Sequence, residues 1–163
     1  MIDRELTFRR WLAEHRGILV KVSRAYATAP GDEDDLMQEI LLALWRSLPS
    51  FRGDSKVSTW IYRVALNVAL SRRRADRHRR DEVPLERTAE PASDGEAAAH
   101  GRLQWTAVLA ALRRLAPVDR ALIVLALDGA TQQDIADVFG LSANAAGVKL
   151  HRARRRLAEI LEA

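Results

Sequence analysis

Between Thr131 and Leu157, two apolar stripes of helical period stand on either side of Gly140-Leu141-Ser142. No other feature restricts the fold of this chain as much. The first stripe is Ile135, Ala136 and Phe139. The second is Ala146, Leu150, Ala153 and Leu157, which recur on one helical face. Thr131 and Asp134 have the spacing of a capping box, in which each residue satisfies an orphan donor of the first turn. Gly140 supplies the left-handed conformation that a sharp helix reversal needs. Ser142 is placed to start the second helix, and the small Ala136 lets the two helices approach closely. A helix-turn-helix follows. Its second helix turns Asn144, Gly147, Val148, His151, Arg152 and Arg155 outward, and that face becomes basic towards its C-terminal end. A recognition helix meets the major groove in this way. A plain helical hairpin needs no such face.

The rest of the chain also reads as helix. Thr7 to Tyr26 carries Phe8, Trp11, Leu12, Leu19, Val22 and Tyr26 on one stripe, and Ala29-Pro30-Gly31 breaks it. Asp32 is the expected N-cap of a second helix through Ser47, ended by Pro49. After the loop Phe51-Arg52-Gly53-Asp54-Ser55, a long helix runs from about Lys56 towards Arg80 on the stripe Ile61, Val64, Ala65, Val68. Residues 81–102 then lose all periodicity to proline, glycine, alanine and acid, which predicts a flexible linker. Helical period resumes from Leu103 through Val108, Leu109, Leu112 and Leu115, and Pro117 opens a further short apolar helix. The expected fold is all-α. Two small helical domains, residues 1–80 and 104–163, are joined by an acidic linker at 81–103.

Charge follows the same division. It is +6 over residues 1–80, −4 over 81–102 and +2 over 103–163. Basic segments on either side of an acidic one favour a polyanionic partner. Two clusters exceed an ordinary solvated face: Arg72-Arg73-Arg74 with Arg77, Arg79 and Arg80, and Arg152 with Arg154-Arg155-Arg156. On the long helix, Trp60, Arg63, Asn67, Ser71 and Arg74 share a second face. It suits unstacked bases and phosphates, and equally suits a core tryptophan beside solvated polar groups. The acidic run Asp32-Glu33-Asp34-Asp35 with Glu39 favours a helix N-terminus or a basic protein partner. Cysteine is absent and the four histidines are widely separated, so disulfide, thiolate and zinc chemistry are not expected. No apolar run is long enough for a membrane span, and the N-terminus lacks a signal-peptide pattern. The expectation is a cytoplasmic protein with no metal, cofactor or enzymatic activity.

Several of these stretches together resemble the extracytoplasmic-function group of bacterial sigma-70-type RNA polymerase sigma factors. They are Asp-Leu-Met-Gln-Glu-Ile (35–40) with Leu44-Trp45, Phe-Arg-Gly-Asp-Ser (51–55) and Thr-Trp-Ile-Tyr-Arg-Val-Ala-Leu-Asn-Val-Ala (59–69). In the second half they are Asp-Ile-Ala-Asp-Val-Phe-Gly-Leu-Ser (134–142) and Leu-His-Arg-Ala-Arg-Arg-Arg-Leu (150–157). The resemblance implies a promoter-specificity subunit that assists promoter opening, for a stress or envelope-response regulon. It puts core polymerase binding, on the beta-prime clamp helices, at Asp35, Gln38 and Glu39. It puts −10 DNA binding at Arg52, Ser55, Lys56, Trp60, Arg63 and Asn67, with Arg72, Arg73 and Arg74 on phosphates. It puts −35 DNA binding at Ser142, Asn144, Val148, Lys149, His151, Arg152 and Arg155, in a domain that also packs on the beta flap. It further implies an anti-sigma factor partner, a monomer when free of partners, and nucleoid association in the holoenzyme.

The recognition helix departs from the family's pattern. Gly147 stands where a basic side chain often reads the −35 element, which removes a donor and weakens the helix by roughly 1 kcal/mol relative to alanine. Either readout rests on Asn144, Val148, Lys149 and His151, with an unusual sequence preference, or −35 specificity is weak and phosphate contacts compensate. Two rival functions remain to be separated. An autonomous helix-turn-helix regulator binds palindromes as a dimer. A nuclease needs clustered metal ligands, and the only dense acidic group lies on the least basic part of the first domain.

Overall fold

The computed structural model describes residues 3–82 and 99–163, with side chains described outside residues 80–82 and 99–104. Seven α-helices and a short 3-10 turn occur among the described residues, with no strand. They are α1 (Arg4–Tyr26), α2 (Asp32–Ser47), the 3-10 turn Leu48–Ser50, α3 (Val57–Glu82), α4 (Ala99–Arg114), α5 (Pro117–Leu127), α6 (Gln132–Phe139) and α7 (Ala143–Glu162). The expected linker at 81–103 is trimmed at both ends, because α3 runs to Glu82 and α4 begins at Ala99. Its middle, 83–98, lies outside the described residues.

α1 begins earlier than its stripe suggests, because the Asp3 carboxylate accepts hydrogen bonds from the Glu5 and Leu6 amides. It bends at His15, whose backbone leaves helical values (φ −120°, ψ 17°). The N-cap of α2 is Gly31 rather than Asp32. Gly31 takes the left-handed φ of 81° that glycine tolerates. Asp32, one residue on, accepts from the Thr28 amide and hydroxyl and so ties the preceding loop to the helix. α2 buries Leu36, Ile40 and Leu44 at successive turns. Each contributes about 1.5–3 kcal/mol by removal from water.

α1, α2 and α3 pack on one another, and α7 packs on α4, α5 and α6. The two groups also dock. α1 lies against α4 and α5, and α3 against α5 and α6. The buried apolar side chains form one continuous core through both groups, from Ile18 to Ala153.

One buried cation sits where the groups meet. Arg120, in the first turn of the apolar helix α5, is 1% exposed. Its guanidinium donates to the carbonyls of Leu112 (2.8 Å), Arg113 (2.8 Å) and Leu115 (3.3 Å). It crosses to the other group at the Ala25 carbonyl (2.9 Å). It also lies over the Tyr26 ring, 5.0 Å from its centroid, and the Tyr26 hydroxyl donates to the Pro117 carbonyl. Burial raises the Tyr26 pKa, which keeps the phenol neutral at ordinary pH, and lowers that of Arg120. The guanidinium is basic enough to stay cationic despite that burial. A buried charge without a carboxylate persists because its donors are filled by carbonyls.

Candidate nucleic-acid interface

The helix-turn-helix forms as its local chemistry dictates. Thr131 and Asp134 make the reciprocal capping box at the start of α6. Gly140 ends α6 in the left-handed conformation (φ 66°). The Ser142 hydroxyl accepts from the Ala145 amide at the start of α7. Ile135 and Ala136 are fully buried, as are Ala146 and Ala153, and Leu150 nearly so. Val138, outside the expected stripe, is buried as well.

Burying that face of α7 fixes the opposite one. Ser142, Asn144, Val148, Lys149, His151, Arg152 and Arg155 are all exposed. Arg155 lies 3.7 Å from Glu159 on the same helix. Lys149, His151 and Arg152 have no ion pair among the described residues. Gly147 is not on this open face. It faces α6, and a Cβ placed there would lie 3.0 Å from the Gln132 side chain.

The face of α3 divides. Trp60 is 8% exposed. It packs against Trp11 and Phe51, with ring centroids 5.6 and 5.4 Å away. The core reading left open by the sequence therefore describes its position here. Asn67, Ser71 and Arg74 are exposed, as are Arg52 and Lys56 in the preceding loop, while Ser55, Arg63 and Arg73 are half-buried.

Two of the cations on this side are committed to the helix-turn-helix. Lys56 pairs with Asp134 at 3.0 Å, and Arg63 donates to the Asp137 carbonyl at 2.6 Å. The Thr131 amide, with Lys56 and the Thr131 hydroxyl, pulls the Asp134 carboxyl down to about 2. Asp128, just beyond α5, receives both Lys21 and the Tyr62 hydroxyl from the first group.

Asp35, Gln38 and Glu39 are exposed on α2. Glu39 and Asp32 both pair with Arg72 of α3. The structure thus joins a residue expected on polymerase to one expected on DNA. Glu39, Arg72, Asn67 and Ser71 border one groove of about 650 Å³ with Asp76 and Arg79.

Sequence reasoning missed Arg120, Tyr62, Asp128 and Gln132. A lone arginine within the apolar run of α5 was a visible signal for Arg120. The others depend on how the two groups dock or on the bare surface at Gly147. No cluster of three or more histidine, aspartate or glutamate residues able to hold a metal ion occurs among the described residues. No helix among them is long and apolar enough to cross a membrane.

Comparison with known proteins divides the chain in the same way. Residues 11–79 match the family model for sigma-70 region 2, and residues 105–157 that for sigma-70, region 4. The ECF RNA polymerase sigma factor SigM of Mycobacterium tuberculosis is 34% identical over 157 residues, spanning 94% of this chain and 76% of SigM. The solved structure of CnrH with the cytosolic domain of CnrY aligns at a TM-score of 0.67 and 27% identity, over 97% of this chain and 89% of that one. The sigma factor RpoE of Bartonella quintana, solved with the anti-sigma factor NepR, shares the fold at a TM-score of 0.73 and 22% identity. That alignment covers 96% of this chain and 97% of the other.

Proposed function

The chain belongs to the extracytoplasmic-function group of the sigma-70 family, and we propose that it reads a promoter with two surfaces that its docked form cannot use together. It is a promoter-specificity subunit of RNA polymerase. The reading of its surfaces rests on α7, whose buried face leaves an exposed polar and basic one opposite. Asn144, Val148, Lys149 and His151 contact −35 base edges in the major groove. Ser142, Arg152 and Arg155 hold the adjoining phosphates, a sequence-blind and salt-sensitive contribution.

The −10 element falls to Arg52, Ser55, Lys56, Arg63 and Asn67, with Trp60 supporting them from the core. Arg73 and Arg74 face upstream phosphates. Arg72 holds the α2 acids in place. Promoter opening then needs no catalytic group, because capturing an unstacked base costs only a few kcal/mol. Core polymerase docks on Asp35, Gln38 and Glu39 through its beta-prime clamp helices, and the α7 domain rests on the beta flap.

Dimensions favour an opening step. Elements named for positions −35 and −10 lie about 25 base pairs apart, or roughly 80 Å along B-DNA. A compact chain of 163 residues has a radius of gyration near 15 Å. Lys56 and Arg63 are also occupied by α6 in the docked form. The two groups therefore separate on the promoter. CnrH and RpoE were solved bound to CnrY and to the anti-sigma factor NepR. A partner of that kind acts here by holding the docked form. The cytoplasm is the site of action, and a stress or envelope-response regulon the target.

Transcription in vitro tests this reading. The chain is mixed with bacterial core polymerase on a promoter library, beside an Asp35→Ala plus Gln38→Ala variant that spares the Glu39–Arg72 pair. Specific transcript starts that the variant loses are expected. Absence of transcripts, with tight binding of the free chain to palindromic duplex, would instead identify an autonomous regulator.

A further inference from the structure

The recognition helix has a gap in its side-chain surface at Gly147, and α6 fills it. A Cβ at Gly147 would meet Cδ, Oε1 and Nε2 of Gln132, each at 3.0 Å. That is tighter than ordinary van der Waals contact, so any side chain at 147 forces the carboxamide to move. Gln132 is the first residue of α6 and is exposed. The next residue, Gln133, spends its amide on Asp137 at 2.8 Å. The Gln132 amide has no hydrogen-bond partner among the described residues. Helical spacing puts position 147 beside Asn144 and His151, both exposed. An unspent donor and acceptor therefore lies on the backbone of the recognition helix, at the edge of its reading face.

We propose that Gln132 is a specificity-determining residue of the −35 interface and that its carboxamide recognises an adenine. The inference rests on the assignment of α7 to the −35 element. A carboxamide matches N6 and N7 of adenine with one donor and one acceptor. Val148, exposed on the same helix, offers a methyl contact to a thymine. Gly147 is then more than a missing donor. It is the space through which the first helix of the motif reaches the groove, and the group lost at position 147 is replaced from position 132.

The test uses holoenzyme assembled from core polymerase and the full chain, on a promoter that the wild type selects. Binding is measured against every single-base change across the −35 element. The wild type is expected to prefer adenine at one position. Gln132→Ala lowers that preference about tenfold, the size of a lost bidentate contact, and leaves discrimination elsewhere unchanged. Gln132→Glu moves the preference at the same position from adenine to cytosine, whose N4 amine a carboxylate accepts. A misfolded protein cannot produce that switch. Gly147→Ala displaces the amide and weakens the same preference, adding little to Gln132→Ala. If Gln132→Ala weakens all −35 sequences equally, or changes none, the proposal is overturned while the −35 assignment stands. If the wild type ignores every −35 change, both fall.

Discussion

The polar face of α3 and the outward face of α7 carry similar side chains, yet the structure treats them differently. On α7, Lys149, His151 and Arg152 point to solvent without ion pairs among the described residues. Around α3, Lys56 is paired with Asp134, Arg63 with the Asp137 carbonyl, and Arg72 with Asp32 and Glu39. One surface is ready for a phosphate; on the other, Lys56, Arg63 and Arg72 must first give up partners within the chain. Cation count alone therefore says little about which surface binds DNA first. Under the proposed assignment, the contrast leaves the −35 surface accessible in the free chain and reserves part of the −10 surface for the opened one.

The largest effect expected from breaking this contrast lies at Arg120. Arg120→Met removes donors from four backbone carbonyls at the junction of the groups. The loss is about 3 kcal/mol or more, read as a lower urea midpoint. Arg152→Met on the exposed face of α7 should leave that midpoint nearly unchanged.

Asp128→Ala comes next. It deprives Lys21 and the Tyr62 hydroxyl of their common acceptor and weakens docking by about 1 kcal/mol. The affinity of the free chain for a −10 fragment should rise about fivefold. A fall in that affinity would mean that docking does not hold the −10 surface in reserve.

Salt dependence separates the two surfaces more finely. Arg152→Ala should reduce the salt slope of −35 duplex binding by about 1, with similar losses on every sequence. Lys56→Ala should leave duplex binding by the free chain unaltered and show its cost only in the holoenzyme.

The smallest effect is that of pH on Asp134, whose carboxylate is held first by the Thr131 amide and then by Lys56. The Asp134 carboxyl titrates at about 2 in the folded chain, below the ordinary value near 4. Its stabilisation is complete above about pH 4 and is lost as pH falls towards 2. Urea midpoints of the wild type and Asp134→Asn should therefore run parallel from pH 8 to 5 and converge only in acid.

Much of the molecule was legible in the sequence because local chemistry decides it. The capping box at Thr131, the glycine turn at Gly140 and the stripe Ala146, Leu150, Ala153 each follow from residues a few positions apart. The outward face of α7 follows from that stripe. What escaped depends on distant residues. Asp32 looks like a cap, but Gly31 takes that place once Thr28 binds the Asp32 carboxylate. Trp60 shares a face with Arg63 and Asn67, yet Trp11 and Phe51 from other segments enclose it. Gly147 reads as a lost contact until Gln132 arrives from α6. The docking of the two groups had no signal in periodicity at all.

A distance between α2 and α7 tests the opening of the docked form most directly. The chain lacks cysteine, so Arg46→Cys and Arg154→Cys, both at exposed positions, give two clean labelling sites. Distances between spin labels are then measured in the free chain and in the holoenzyme on promoter DNA. The expected result is one short distance in the free chain and an increase of tens of ångströms on the promoter, in keeping with roughly 80 Å between the two elements. The same short distance in both states, with transcription intact, would contradict the separation of the two groups.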